Sequence, residues 1–254
     1  MRLGSLRRQA GDSDGAVAAL SQARELAQRF GLPEIEGAAL HDLCIIHFEV
    51  GAGDKGFACA REALSVHEPG STAIAKVAHD VAVFMMQSRG DYTNALTVFR
   101  ELENHTFDAP DQLLLWGNIA RSAAGAGEML VFERAWESAR RLVERIGVKK
   151  EQHAAALINL GEAALSAGRI DWAEAVASRA YEIGETRGET HVLQFAEELL
   201  SRVRSARKTR VRPRPFSDPG HDLKNAGRLA RQLVSAMRAR GSRTRKPRAP
   251  EQQA

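Results

Sequence analysis

The chain has 254 residues, with 36 Lys+Arg against 32 Asp+Glu, 44% hydrophobic residues and two cysteines. That length accommodates one or two domains, and the hydrophobic fraction excludes a fully disordered chain. Two cysteines exclude a disulfide-dense scaffold and a four-cysteine zinc ribbon; the lack of any apolar run of about 18 residues excludes a membrane-spanning helix.

The N-terminal stretch Met1 to Arg8 carries charge with no apolar segment behind it, so no secretory signal is read and the expected location is cytoplasmic. A repeat then begins. Gly11, Gly51, Gly90, Gly127 and Gly168 each interrupt an apolar helical stretch, at spacings of 40, 39, 37 and 41 residues. Apolar residues recur at three- and four-residue steps on both sides of each glycine, so each unit reads as two helices. The glycine ends the first helix because it adopts positive φ without strain. Asp12, Asp54 and Asp91 are expected to cap the second helices, and Pro33, Pro69 and Pro110 to open new units. Met1 falls inside the first helix of the first unit. That helix is expected to be short, leaving an apolar edge at Leu3 and Leu6 for a partner, for self-association, or for an upstream DNA-binding or enzymatic domain of a longer protein. A helix over 189–208 is expected to cap the stack, with Phe195 and Leu199 packed inward and Glu197, Glu198, Arg202 and Arg204 solvated.

The charge divides at the end of this array. Residues 1–201 carry 20 Lys+Arg against 29 Asp+Glu, a balance of −9, whereas 202–254 carry 16 against 3, a balance of +13. The sequence therefore predicts an acidic folded body over 1–208, a Pro/Arg-rich linker over 209–220, a basic amphipathic helix over 221–240 and a disordered basic tail over 241–254.

The repeated positions resemble the tetratricopeptide repeat family. The matching residues are Leu157, Leu160, Gly161, Gly168, Ala173 and Ala180 in the fifth unit, and Trp116, Ile119, Ala120, Gly127, Trp136 and Ala139 in the fourth. In the third they are Ala82, Gly90, Ala95, Phe99 and Leu102; in the second, Leu40, Leu43, Cys44, Gly51, Ala60 and Ala63. The resemblance covers roughly residues 1–205, with a period near 39 rather than 34 and few aromatics. It implies an all-α, right-handed superhelical solenoid of about five hairpins plus a capping helix, of the type found in bacterial signalling and regulation. It further implies a concave groove lined by the first helices. By register that lining is Arg8, His41, Ile45, Phe48, Asp80, Phe84, Gln87, Arg121, Ile158, Glu162 and Leu165. Ile45, Phe48 and Phe84 would anchor a peptide or helix, oriented by Arg121, Asp80 and Glu162.

Catalytic motifs are missing: there is no Gly-x-Ser-x-Gly, no phosphate loop ending in Gly-Lys-Ser/Thr and no His-Glu-x-x-His. Gly51 to Gly56 is Gly-rich but follows no strand. His41, Cys44 and His47 sit three residues apart, with Cys59 on the paired helix; packing is preferred over a zinc site or a redox pair. No catalytic residue, metal or cofactor is assigned. The expected function is a non-catalytic protein-interaction scaffold. The alternative is a nucleic-acid-associated transcriptional regulator, or the sensor half of one, acting through the tail or an upstream domain. Its phosphate contacts would be Arg207, Lys208, Arg210, Arg212, Arg214, Arg228, Arg231, Arg238, Arg243, Arg245 and Lys246. The tail also suits an anionic membrane surface, or the acidic body itself.

Overall fold

The structure, a computed structural model, describes residues 2–105, 108–146, 151–209 and 223–239. Those residues form twelve helices and no strand. In chain order they are α1 (Arg2–Gln9), α2 (Ser13–Arg29), α3 (Pro33–Glu49), α4 (Gly53–Val66), α5 (Thr72–Arg89) and α6 (Tyr92–Leu102). There follow α7 (Ala109–Ala126), α8 (Met129–Ile146), α9 (Glu151–Ser166), α10 (Ile170–Arg187), α11 (Thr190–Thr209) and α12 (Leu223–Arg238). The linker expected over 210–222 and the tail from 240 onward lie outside the described residues.

The helix ends follow local chemistry. All five anchor glycines have positive φ, between 64° and 79°. Asp12 and Asp91 cap α2 and α6, their carboxylates accepting from the amides of Gly15 and Asn94. Asp54 does not cap α4. That helix starts one residue earlier, at Gly53, and Asp54 sits in its first turn. Pro33 opens α3, and Pro110 lies in the first turn of α7 behind the cap Asp108. Pro69 opens nothing: Ser71 caps α5, accepting from the Ile74 amide.

Consecutive helices pack in antiparallel pairs: α1 with α2, α3 with α4, α5 with α6, α7 with α8 and α9 with α10. The pairs lean on one another through α2 on α3, α6 on α7, α7 on α9 and α10 on α11, and more lightly through α3 and α4 on α5, the pattern of an all-α repeat fold. Alanines form the tight faces: Ala16, Ala60, Ala95, Ala139 and Ala177 are all buried. Leu199 on α11 is buried as expected, but Phe195 stands 55% exposed. Arg202 is half-buried rather than solvated, because it pairs with Glu162 on α9. Leu3 and Leu6 are 55% and 57% exposed.

The tertiary structure places α12 far from its neighbours in sequence. It lies against α4, α5 and α6, running alongside α6. Ala226, Leu229, Ala230, Leu233 and Met237 join the main core, and the Gly70 amide donates to the Ala236 carbonyl at 2.8 Å. At 11 residues, α6 is shorter than the second helices of the other pairs, which run from 14 to 18. α4 and α5 pack only lightly on each other, and α12 touches both.

Candidate functional site

The first helices of successive pairs, α3, α5, α7 and α9, carry a continuous row of hydrogen-bonded polar side chains. His41 Nε2 lies 2.9 Å from Asp80 Oδ2, and His79 Nδ1 lies 2.9 Å from Asp80 Oδ1. The Asn118 amide stands 3.2 Å from His79 Nε2. Asn159 donates to Asn118 Oδ1 at 2.8 Å, and Arg121 donates to Asn159 Oδ1 at 2.9 Å. Arg202 of α11 makes a separate pair with Glu162 of α9. The links that cross between helices join residues 38 to 41 apart, so the repeat period itself brings them into register.

The bond directions define a tautomer. Asn118 Oδ1 accepts from Asn159, so the Asn118 amide nitrogen is the donor toward His79 Nε2. His79 then carries its proton on Nδ1 and donates it to Asp80. Burial alone would raise the Asp80 carboxyl. The hydrogen bonds from His41 and His79 outweigh that effect and hold it well below the usual carboxylate range. Asn118, Asn159 and Glu162 are buried, at 1%, 6% and 9% exposure. Two buried atoms, Arg121 Nε of the row and Glu162 Oε2 of the separate pair, have no partner among the described residues. Beside His41, His79 and Asp80 opens a cleft of about 180 Å³, completed by Lys76, Asp111, Leu114 and Leu115.

The other residues expected along this lining take different places. Arg8 pairs with Glu49 at 3.0 Å. Gln87 is exposed, and Ile45 and Ile158 are half-buried. Phe84 is buried and Phe48 half-buried. Their rings stack on each other at 3.9 Å and both meet the edge of Phe57 at 5.6 Å, leaving Phe84 7% exposed. Glycine makes room for them. A Cβ at Gly56 would stand 2.3 Å from the Phe48 ring, and one at Gly53 would stand 2.8 Å from that of Phe84. The Gly-rich stretch 51–56 therefore accommodates aromatic rings. Leu165 is buried in a second cluster with Leu199 and Val203.

His79, Asn118 and Asn159 were not among the expected lining residues, yet they are the centre of the row. Their signal was present in the sequence: polar residues at one repeat period on otherwise apolar helices. Cys44 and Cys59 are buried free thiols, both raised mainly by burial. Among the described residues no group of three or more His, Cys, Asp or Glu is placed to hold a metal ion, and no helix is long and apolar enough to cross a membrane.

Of the expected basic-tail contacts, Arg207 pairs with Asp171 and Glu174, Lys208 is exposed, and Arg238 pairs with Glu101. Arg228 and Arg231 are exposed on α12. Arg210, Arg212, Arg214, Arg243, Arg245 and Lys246 lie outside the described residues. Neither a protein-family model nor a curated protein matches the chain.

Proposed function

We propose that the chain is a tetratricopeptide-like solenoid with no catalytic activity, which binds a peptide or helix of a partner protein along the face of its first helices. The observation that carries this reading is the polar row from His41 to Arg121, with the separate Arg202–Glu162 pair on α9 and α11. Most buried polar side-chain atoms in a folded chain find a hydrogen-bond partner. Here Arg121 Nε and Glu162 Oε2 remain a donor and an acceptor without partners among the described residues. His41, His79, Asp80 and Arg121 are half-buried, so the row presents polar groups toward a peptide backbone, which offers one acceptor and one donor per residue. The cleft between His41, Asp80 and Leu114 is sized for one apolar side chain of the same ligand. Because Phe84 and Leu165 are buried, orientation would come from Asp80, Arg121 and Glu162, and apolar anchoring from Leu114 and the half-buried Ile45, Phe48 and Ile158.

The test is selection of displayed peptides of about two helical turns or longer against the full chain. Binders should lose at least about tenfold in affinity in Arg121→Ala, the size of one lost charged hydrogen bond. Binders indifferent to Arg121→Ala and to Asp80→Asn would sink the reading.

A further inference from the structure

The apolar side of α12 is already covered: Ala226, Leu229, Leu233 and Met237 are buried against α4, α5 and α6. A helix so docked has no apolar stripe left to insert into a bilayer. Its outward side carries the charge. Arg228 and Arg231 are exposed and pair with no carboxylate among the described residues. Arg231 and Arg238 are seven residues apart and so lie along one side of the helix. Arg238 borders a cleft of about 410 Å³ between α12 and α6, lined on α6 by Thr93, Thr97 and Arg100. Arg100 is also exposed and unpaired among the described residues. Two carboxylates reach this cleft. Glu101 is taken up by Arg238 and Asn104, which leaves Glu128 as the opposing charge. Basic runs precede and follow α12 in the sequence, seven Lys or Arg among residues 202–214 and six among 238–248.

We propose that docked α12 and the outer face of α6 form a binding surface for the phosphate backbone of nucleic acid, with Arg100, Arg228 and Arg231 as phosphate contacts. The docking is what makes the surface: it turns an amphipathic segment into a fixed ridge with its arginines outward, beside an arginine that lies about 130 residues earlier in the chain. No aromatic residue lies on α12, so bases are not stacked. Recognition is therefore of charge and backbone, independent of base sequence and steeply dependent on salt.

The experiment is fluorescence anisotropy of the full chain with a labelled mixed-sequence DNA duplex of about 20 base pairs, titrated between about 50 and 200 mM salt. Wild type should bind at low salt. R228E/R231E should weaken binding at least about tenfold and make the log–log salt slope shallower by about 2, since each lost phosphate contact removes about one unit. Both substitutions are on exposed positions, so the fold is retained. L233D keeps every arginine but removes the docking contact; it should also weaken binding, with circular dichroism showing that helicity persists. No binding at low salt overturns the proposal. So does an unchanged affinity in R228E/R231E, which would assign binding to the flanking basic runs. Tighter binding to vesicles of phosphatidylcholine and phosphatidylglycerol than to DNA overturns it as well, because it requires α12 to leave its dock.

Discussion

Arg238, at the last turn of α12, donates from Nε and Nη2 to Oε2 of Glu101, both at 2.7 Å, across 137 residues of sequence. Glu101 lies in the last turn of α6, where the partial negative charge of the helix terminus disfavours a carboxylate. Its side chain is only 8% exposed. The guanidinium therefore relieves both an unfavourable dipole and a desolvated charge, and it fastens the far end of α12.

Arg238→Ala leaves that carboxylate buried with only the Asn104 amide as donor. The expected cost is about 1–3 kcal/mol, the usual penalty for an uncompensated buried acceptor. Urea denaturation measures it. The double variant with Glu101→Ala should lose less than the two single variants together, because the residues share one interaction.

Leu233 is fully buried in the α12 dock. Leu233→Ala should cost about 2–3 kcal/mol if α12 stays in place. If its docking is worth less than that, the helix leaves instead. Hydrogen exchange separates the two: amides of 223–239 would then lose protection while those of α7 to α10 keep theirs.

Asp80→Asn tests the polar row. A carboxyl whose folded value lies below its unfolded value of about 3.9 contributes stability that is complete above that value and is lost as pH falls through the folded one. The Asp80 carboxyl is depressed in this way by His41 and His79. The stability gap between wild type and Asp80→Asn should be full near pH 5 and narrow as pH falls below about 4, followed by thermal melts across that range.

At Gly117, α7 comes close to the backbone of α9. A Cβ there would stand 2.9 Å from the backbone carbonyl of Ala156, which cannot rotate away. Gly117→Ala gains about 1 kcal/mol of helix propensity but forces the helices apart, and the net is an expected loss of about 1–3 kcal/mol. The displacement should also break the Asn159–Asn118 hydrogen bond beside it, visible as altered side-chain amide resonances.

Burial raises both thiols, Cys44 most strongly. Neither should react with a disulfide reagent at pH 8 in the folded chain, and both should react on unfolding. Fast labelling of Cys44 under native conditions would show that α3 opens locally.

The sequence by itself determined where most helices stop and how often they recur. Gly90 and Gly127 end α5 and α7 because a left-handed residue is needed there, and Asp12 and Asp91 begin α2 and α6 because a short carboxylate reaches orphan amides. These are interactions among residues three or four apart, so they can be read locally. The all-helical class followed from them. Pro69 and Asp54 show the limit of local reading: Ser71 and Ala52 took the cap positions one or two residues away. What only the tertiary structure decided is which faces meet. Nothing in Phe48 or Phe84 alone says that the glycines of α4 leave space for a stacked pair, which put the expected anchor Phe84 into the core. The apolar and basic sides of α12 were legible as a pattern, but a pattern suits a bilayer, a polyanion or another helix equally well. Its dock on α4, α5 and α6 uses the carboxylate of Glu101 and a chain path that returns over 120 residues or more, and such long-range complementarity exists only once the first helices have stacked.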